Sequence, residues 1–379
     1  MLIEQMSWNS VDGWIPIKKA SFTNPPQLVL AFGGRSIIPD PQRYQELRLQ
    51  YPDSNIMCCS TAGEIIGAKV VDDSIISTAI LFEKTSIKIA KINVRETKNG
   101  VHLGEVLSGM LQADDLCHIF VISDGQKVNG TELVSGMNEY FKGRIPITGW
   151  LAGDGPHFQK TFVGMNEVPG EGNVVGIGFY GNNLKIGHGS KGGWDAFGPE
   201  RIVTRSENNI LYELDNQSAL QLYKKYLGPL SSELPSSALL FPLCIRLPEH
   251  QDLIVRTILS IDEQSQSMVF AGNIPEGATV QLMKANFDRP VDGANVAAET
   301  SLRSLGSFEP QLAILISCVG RRLVLSDRTE QEIEEVTKVL GETTAVTGFY
   351  SYGEISPLLN SAKCELHNQT MTITTYSEK

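Results

Sequence analysis

The sequence contains no Cys-x-x-Cys pair and no two histidines at metal-ligand spacing, which argues against a zinc site. Its six cysteines, Cys58, Cys59, Cys117, Cys244, Cys318 and Cys364, lie mostly in apolar runs. That usage fits reduced thiols in a cytoplasmic protein. No Cys-x-x-Cys-His occurs, so covalently attached c-type haem is excluded. No stretch approaches ~18 continuous apolar residues, so no membrane insertion is expected. The opening MLIEQMSWNSVDGWIPIKK has no basic segment followed by an apolar run, and no signal peptide is expected. Neither G-x-x-x-x-G-K-[ST] nor G-x-S-x-G is present. GIGFYG (176–181) and GHGSKG (187–192) satisfy G-x-G-x-x-G, but no helical pattern follows either directly, so dinucleotide binding is not expected. Positive charge is in deficit: 32 Lys and Arg against 43 Asp and Glu, a net charge of -11. An acidic surface argues against nucleic acid or an anionic membrane as the main partner.

What is present is a soluble composition, 41% hydrophobic over 379 residues, enough for two or three cored domains. One phrase recurs. CCSTAGEI (58–65), TGWLAGDG (148–155) and TGFYSYGEI (347–355) are short apolar or hydroxyl-rich runs ending in Gly and an acid. Each ends the second strand of a strand–helix–strand–hairpin unit. In the middle unit, HIFVIS (118–123) reads as a buried strand. Asn129 and Glu132 then form a capping box, and Leu133, Met137, Tyr140 and Phe141 share a helical face. In the last unit QLAILISC (311–318) is the strand and VGRRLVLS a loop. Asp327 and Glu330 cap the helix that carries Ile333, Val336, Val339 and Leu340. AKCELH and TMTITTYS are expected to form a final hairpin. The first unit opens with QLVLAFGGR (27–35) and a helix begun at Asp40-Pro41. The second and third units each follow a further strand and helix, 86–94 with 99–112 and 279–284 with 292–306. The expected architecture is α/β, mixed sheets with packed helices, in two pseudo-repeated halves at 27–195 and 200–379.

CSTAGEI, GWLAGDG, GPERIVTRSENNILYELDNQSALQLYKKYLG, LFPLCIR, SCVGR and GFYSYGEISP together resemble the FIST family of bacterial signal-transduction proteins. The resemblance covers roughly residues 27–360, as an N-terminal and a C-terminal FIST half. It implies a cytoplasmic sensor of a small ligand. A stand-alone subset of about this length resembles haem-based nitric-oxide sensors that regulate a partner histidine kinase. No kinase, GGDEF or methyl-accepting segment is visible, so signalling through a separate protein is expected.

Two candidate sites follow. If haem b binds, His188 in KIGHGSKGGW is the expected axial ligand. The flanking glycines would let a macrocycle approach the backbone, and Trp194 and Phe197 would supply an apolar wall. His157 is the second choice; His118, opening a core strand, and His102, on a helix, are ordinary structural positions, and the remaining histidines are His250 and His367. The alternative is an amino-acid-like ligand at the loops that follow the repeated strands. There Arg35, Asp124 and Arg321 stand near Glu64, Asp154 and Glu354, with Cys318 and Tyr352 beside them. Those acids and arginines could equally pair with each other as structure. A third reading makes Cys318 an enzyme nucleophile or redox sensor, its thiol pKa lowered by Arg321 and Arg322. No nucleophile–base–orienter set can be assembled, so no catalytic residue is assigned.

Overall fold

A computed structural model describes residues 1–247, 253–286, 288–358 and 363–379. His250, the start of AKCELH and the loop before it lie outside the described residues.

The first unit comprises β1 (Leu2–Asn9), β2 (Gly13–Lys18), β3 (Leu28–Gly34), α1 (Pro41–Gln50), β4 (Asn55–Thr61), β5 (Glu64–Ile66), β6 (Lys69–Val71) and β7 (Ile75–Leu81). The second comprises β8 (Ser86–Asn93), α2 (Gly100–Leu111), β9 (Leu116–Ser123), α3 (Gly130–Phe141), β10 (Ile147–Leu151), β11 (Val163–Met165) and β12 (Asn173–Tyr180). β13 (Leu184–Lys191) opens the third unit, and a lobe then intervenes. The lobe is built from β14 (Trp194–Glu207), β15 (Ile210–Leu214), β16 (Gln217–Ser218), α4 (Ala219–Leu227) and β17 (Leu243–Arg246). It continues with β18 (Leu253–Arg256), β19 (Ile258–Asp262), β20 (Ser267–Phe270) and β21 (Thr279–Ala285). The third unit resumes with α5 (Arg289–Leu305), β22 (Leu312–Cys318), α6 (Val319–Leu325), α7 (Thr329–Leu340) and β23 (Ala345–Ser351). It ends with β24 (Gly353–Pro357), β25 (Cys364–His367) and β26 (Met371–Glu378).

Three sheets share one plan. In each, the first repeated strand lies between its parallel successor and an antiparallel return strand: β4-β3-β7, β10-β9-β12 and β23-β22-β26. A further antiparallel strand flanks each return strand: β1, β8 and β13. The strand following the recurring phrase leaves its own sheet. β5 of the first unit pairs with β23 of the third, β24 of the third with β10 of the second, and β11 of the second with β4 of the first. This closed exchange of edges explains why the phrase occurs three times. Each copy must end one parallel strand and then turn the chain into a neighbour's sheet.

The three sheets enclose one core. Phe32, Trp150 and Phe349, one from each unit, meet with ring centroids 5.5, 4.9 and 5.0 Å apart. These are tilted and edge-on contacts of the kind aromatic rings prefer. The helices cover outer faces, with Leu47 and Tyr51 buried beside α1 and Leu133, Met137 and Phe141 buried on α3. The lobe has its own core around Leu220, Tyr223 and Phe270.

Several local expectations are corrected. VGRRLVLS is a helix, α6, not a loop. Asp327 falls in the 3₁₀ turn after it, and α7 begins at Thr329 with no side-chain cap, so the Asp327–Glu330 box does not form. Asn129 does cap α3, but Glu132 accepts from the main chain of Gly100 on α2 instead of reaching back. β25 and β26 form no hairpin: β25 joins β24 and β26 joins β22, because the exchange of edges takes β25 into the second sheet. The third unit's counterpart of 86–94 is β13, which flanks β26 as β8 flanks β12, since β21 belongs to the lobe sheet beside β14 and β17. Residues 195–200, where the halves were expected to divide, lie inside β14.

Candidate functional site

Three of the residues expected to hold an amino-acid-like ligand, Arg35, Asp154 and Tyr352, are bound to one another. Arg35 donates to Asp154 at 2.8 Å, and the main chains of Gln159 and Lys160 donate to the same carboxylate. The Tyr352 hydroxyl donates to Asp154 and accepts from the Phe158 main chain at 3.1 Å, and its ring stacks on Phe158 at 4.5 Å. One residue from each unit therefore meets here, and the cluster fastens the three units together. Asp124 is also buried, receiving Thr161, Gly172, Gln126 and Lys127.

Glu64 and Glu354 occupy matching places. Glu64 receives the hydroxyls of Thr61 and Ser74; Glu354 receives those of Ser351 and Thr370. Complete burial pushes each carboxyl up to about 8 despite these donors. Arg321 does not reach Glu354 by a hydrogen bond. It is fully buried and chelates Glu332, with a further bond to the Pro290 carbonyl at 2.6 Å. An apolar environment requires such a partner for a buried guanidinium. Cys318 is buried, and that burial raises its thiol well above the ordinary range, outweighing the nearby Arg321. The expected lowering by arginine is thereby reversed, and with it the ground for a reactive thiolate.

A cleft of about 660 Å³ opens elsewhere, where the lobe meets the third unit. Trp194, Met283 and Val255 form its apolar wall on the lobe side. Val296 and Thr300 of α5 face them, and Lys191 and Arg289 stand on the rim. His188 and Trp194 thus border one cavity. Phe197 does not; its ring packs toward Phe241 in the lobe core.

The glycines around His188 have a different reason from the one expected. A Cβ at Gly187 would lie 2.2 Å from the Ser301 carbonyl oxygen, and one at Gly189 2.1 Å from that of Ala297. They let α5 lie against β13, so that face is already filled. His188 alternates to the opposite face and is half-buried, with burial lowering its pKa. Its main chain is held on both sides by the Ser304 hydroxyl, at 2.9 and 3.1 Å.

The residue that sequence reasoning missed is His367. It lines the same cleft, is 9% exposed, and its Nε2 is buried without a hydrogen-bond partner among the described residues. The main chain of Ser356 bonds the ring in the sense that raises proton affinity, while burial and Arg256 lower its pKa to about 4. The ring is therefore neutral near pH 7, its proton lies on Nδ1, and Nε2 presents a lone pair. Arg256 anchors this corner. It donates to the Leu366 carbonyl at 2.6 Å and to Glu365 at 3.2 Å, joining β18 of the lobe to β25. No motif marked His367, because its place depends on β25 crossing into another unit's sheet.

His157, the second-choice histidine, lines none of the clefts described. No group of three or more potential metal ligands occurs among the described residues. No helix there is long and apolar enough to cross a membrane.

Comparison with known proteins accounts for most of the chain. The FIST N domain profile matches residues 27–217, and the FIST C domain profile matches residues 219–357. An uncharacterized protein of Methanocaldococcus jannaschii is 25% identical over 328 residues, covering 78% of this chain and 60% of that relative's length. The chain thus spans less than two thirds of that relative. With both profiles in sequence order over a mixed α/β fold of repeated units, the chain belongs to the FIST family of signal-transduction sensor domains.

Proposed function

We propose that the chain senses a small molecule bound in the cleft between lobe and third unit, and passes the signal to a separate protein such as a histidine kinase. The observation that carries this reading is the cleft itself. Its volume of about 660 Å³ lies within the range usual for small-molecule sites, roughly 300–1,000 Å³. It combines an apolar wall with a few polar groups, as such sites do. It also lies between two bodies with separate cores, so a ligand there would bear on their relative position. A Val296→Trp variant tests the reading. Ligands found by thermal-shift screening should stabilise the native protein and lose that effect when the introduced indole fills the cleft. Equal stabilisation of both proteins would overturn it.

A haem-based reading is favoured by His367 on the lining of the cleft, with Lys191 and Arg289 available to carboxylates; the His188 ring points to the face of β13 away from α5, toward His118. The residues fit the group: His367 has the held Nδ1–H and free Nε2 usual for a metal-ligating imidazole. Bound haem would supply an iron able to take nitric oxide. His367 would hold the iron, and Lys191 and Arg289 would orient the propionates. Haemin titration checks this by absorption. A saturable Soret band of unit stoichiometry, altered in His367→Ala, is expected. No saturable band would eliminate haem and leave the small-molecule reading standing.

A further inference from the structure

One residue on the lining of the cleft, His367, carries a buried polar atom with no hydrogen-bond partner among the described residues. A buried polar group without a partner costs about 1–3 kcal/mol, so its retention needs a reason. At His367 the reason cannot be a neighbour inside the protein, because Nε2 has none among the described residues. The atom belongs to a residue on the cleft wall. The same lining carries the apolar side chains of Trp194, Val255 and Met283. Trp194 cannot serve as the donor, since its Nε1 already bonds the Gln369 carbonyl at 3.0 Å. At the mouth, Lys191 is exposed and Arg289 is 58% exposed in its side chain, its only ion pair among the described residues being to Asp195 at 3.4 Å.

We infer that His367 is the recognition residue of this cleft, its Nε2 accepting a hydrogen bond from an amphipathic, largely apolar small molecule whose anionic end lies against Lys191 and Arg289. The inference rests on the reading of the cleft as the ligand site, and adds the ligand's class and the atom that selects it. The apolar wall takes the body of the molecule, an N–H or O–H group satisfies His367, and the rim cations take its negative charge. Asp195 and Asp292 on the same lining disfavour a second negative group nearby. Because Arg256 ties β18 to β25 one residue before His367, the recognition atom sits where the lobe is fastened.

The probe is 6-(p-toluidino)naphthalene-2-sulfonate, an apolar aromatic anion whose N–H donor and sulfonate lie at opposite ends of the naphthalene, titrated by fluorescence into the full chain. The native protein is expected to bind one equivalent. His367→Phe should weaken binding roughly three- to tenfold, the loss of one buried hydrogen bond. The rim double variant Lys191→Glu with Arg289→Glu should weaken it several-fold, and added salt should shrink that difference. Val296→Trp should abolish it. Nitrogen NMR of native protein labelled at histidine supplies the check that needs no variant: the His367 Nε2 resonance should shift at saturation. Loss of binding in Val296→Trp with His367→Phe and its resonance unchanged would overturn the role of His367 and leave the cleft as the site. Full binding in Val296→Trp, or no saturable binding in the native protein, would overturn the cleft reading itself.

Discussion

Glu64 and Glu354 should make the protein lose stability as pH rises. Each carboxyl is fully buried and titrates near 8 in the folded state, against 4.5 for an ordinary glutamate. Between those values the folded protein keeps a proton that the unfolded chain releases. Stability is therefore undiminished below about 4.5, falls through the window, and the loss is complete above about 8. The slope is about 1.4 kcal/mol per pH unit for each group, and roughly 4–5 kcal/mol per group across the window. Glu64→Gln removes the titration while keeping a carbonyl acceptor for one of the Thr61 and Ser74 hydroxyls and offering an N–H to the oxygen of the other. Urea unfolding at intervals from pH 5 to 8.5 should then show a shallower decline in the variant. Near pH 8 it should be more stable than the native protein by a few kcal/mol, less whatever hydrogen-bond geometry is lost. Glu354→Gln should behave alike, and the double variant should be nearly additive because the two groups have separate partners. Identical slopes in native and double-variant proteins would refute the argument, since they would mean that both carboxylates are ionised in the fold.

Other expectations follow from single contacts. Tyr352→Phe removes the hydrogen bond donated to the buried Asp154 carboxylate and the one accepted from the Phe158 main chain, and should cost about 2–3 kcal/mol in urea unfolding. Arg321→Met leaves Glu332 buried and unpaired and should cost about 3–5 kcal/mol, part of it recovered in the Arg321→Met, Glu332→Gln double variant. Gly189→Ala forces α5 off β13 and should lower the melting temperature well beyond the effect of an ordinary surface substitution. Cys318 should resist alkylation by iodoacetamide at neutral pH in the folded protein and react once urea unfolds it.

The repeat was legible because it is written locally. A parallel strand ending in Gly and acid leaves the same trace wherever it occurs, and the helices of the first two units carry their caps at Asp40 and Asn129. The pairing of edges was not legible, because β5, β11 and β24 take partners far away in sequence, and nothing in a three- to five-residue strand names its neighbour. The site divides along the same line. His188 and Trp194 were found from a glycine-rich segment, though those glycines accommodate α5. Arg35, Asp154 and Tyr352 stand out in the sequence beside the recurring phrase, but their chemistry is spent on each other. Local pattern could mark unusual residues; only long-range pairing decided whether each one faces a cavity or a partner.

The exchange of edges also bears on how a ligand could be felt at a distance. β25 borders the cleft through His367, yet it belongs to the sheet of the second unit through β24 and β10. Arg256 attaches the lobe to that same strand. A ligand bonded to His367 therefore touches the third unit's chain, the second unit's sheet and the lobe at one point. A shift of β25 cannot stay within one unit, because β24 beside it leads directly from the Tyr352–Asp154–Arg35 cluster that holds all three. The coupling required is modest, about 1–3 kcal/mol between two arrangements. The packed aromatic core around Trp150 would resist gradual deformation, so the response expected is a shift of the lobe against a rigid three-sheet body. Small-angle scattering with and without a saturating ligand should show that shift. Arg256→Met, which frees the lobe from β25, should weaken its dependence on ligand while the three-sheet body stays folded.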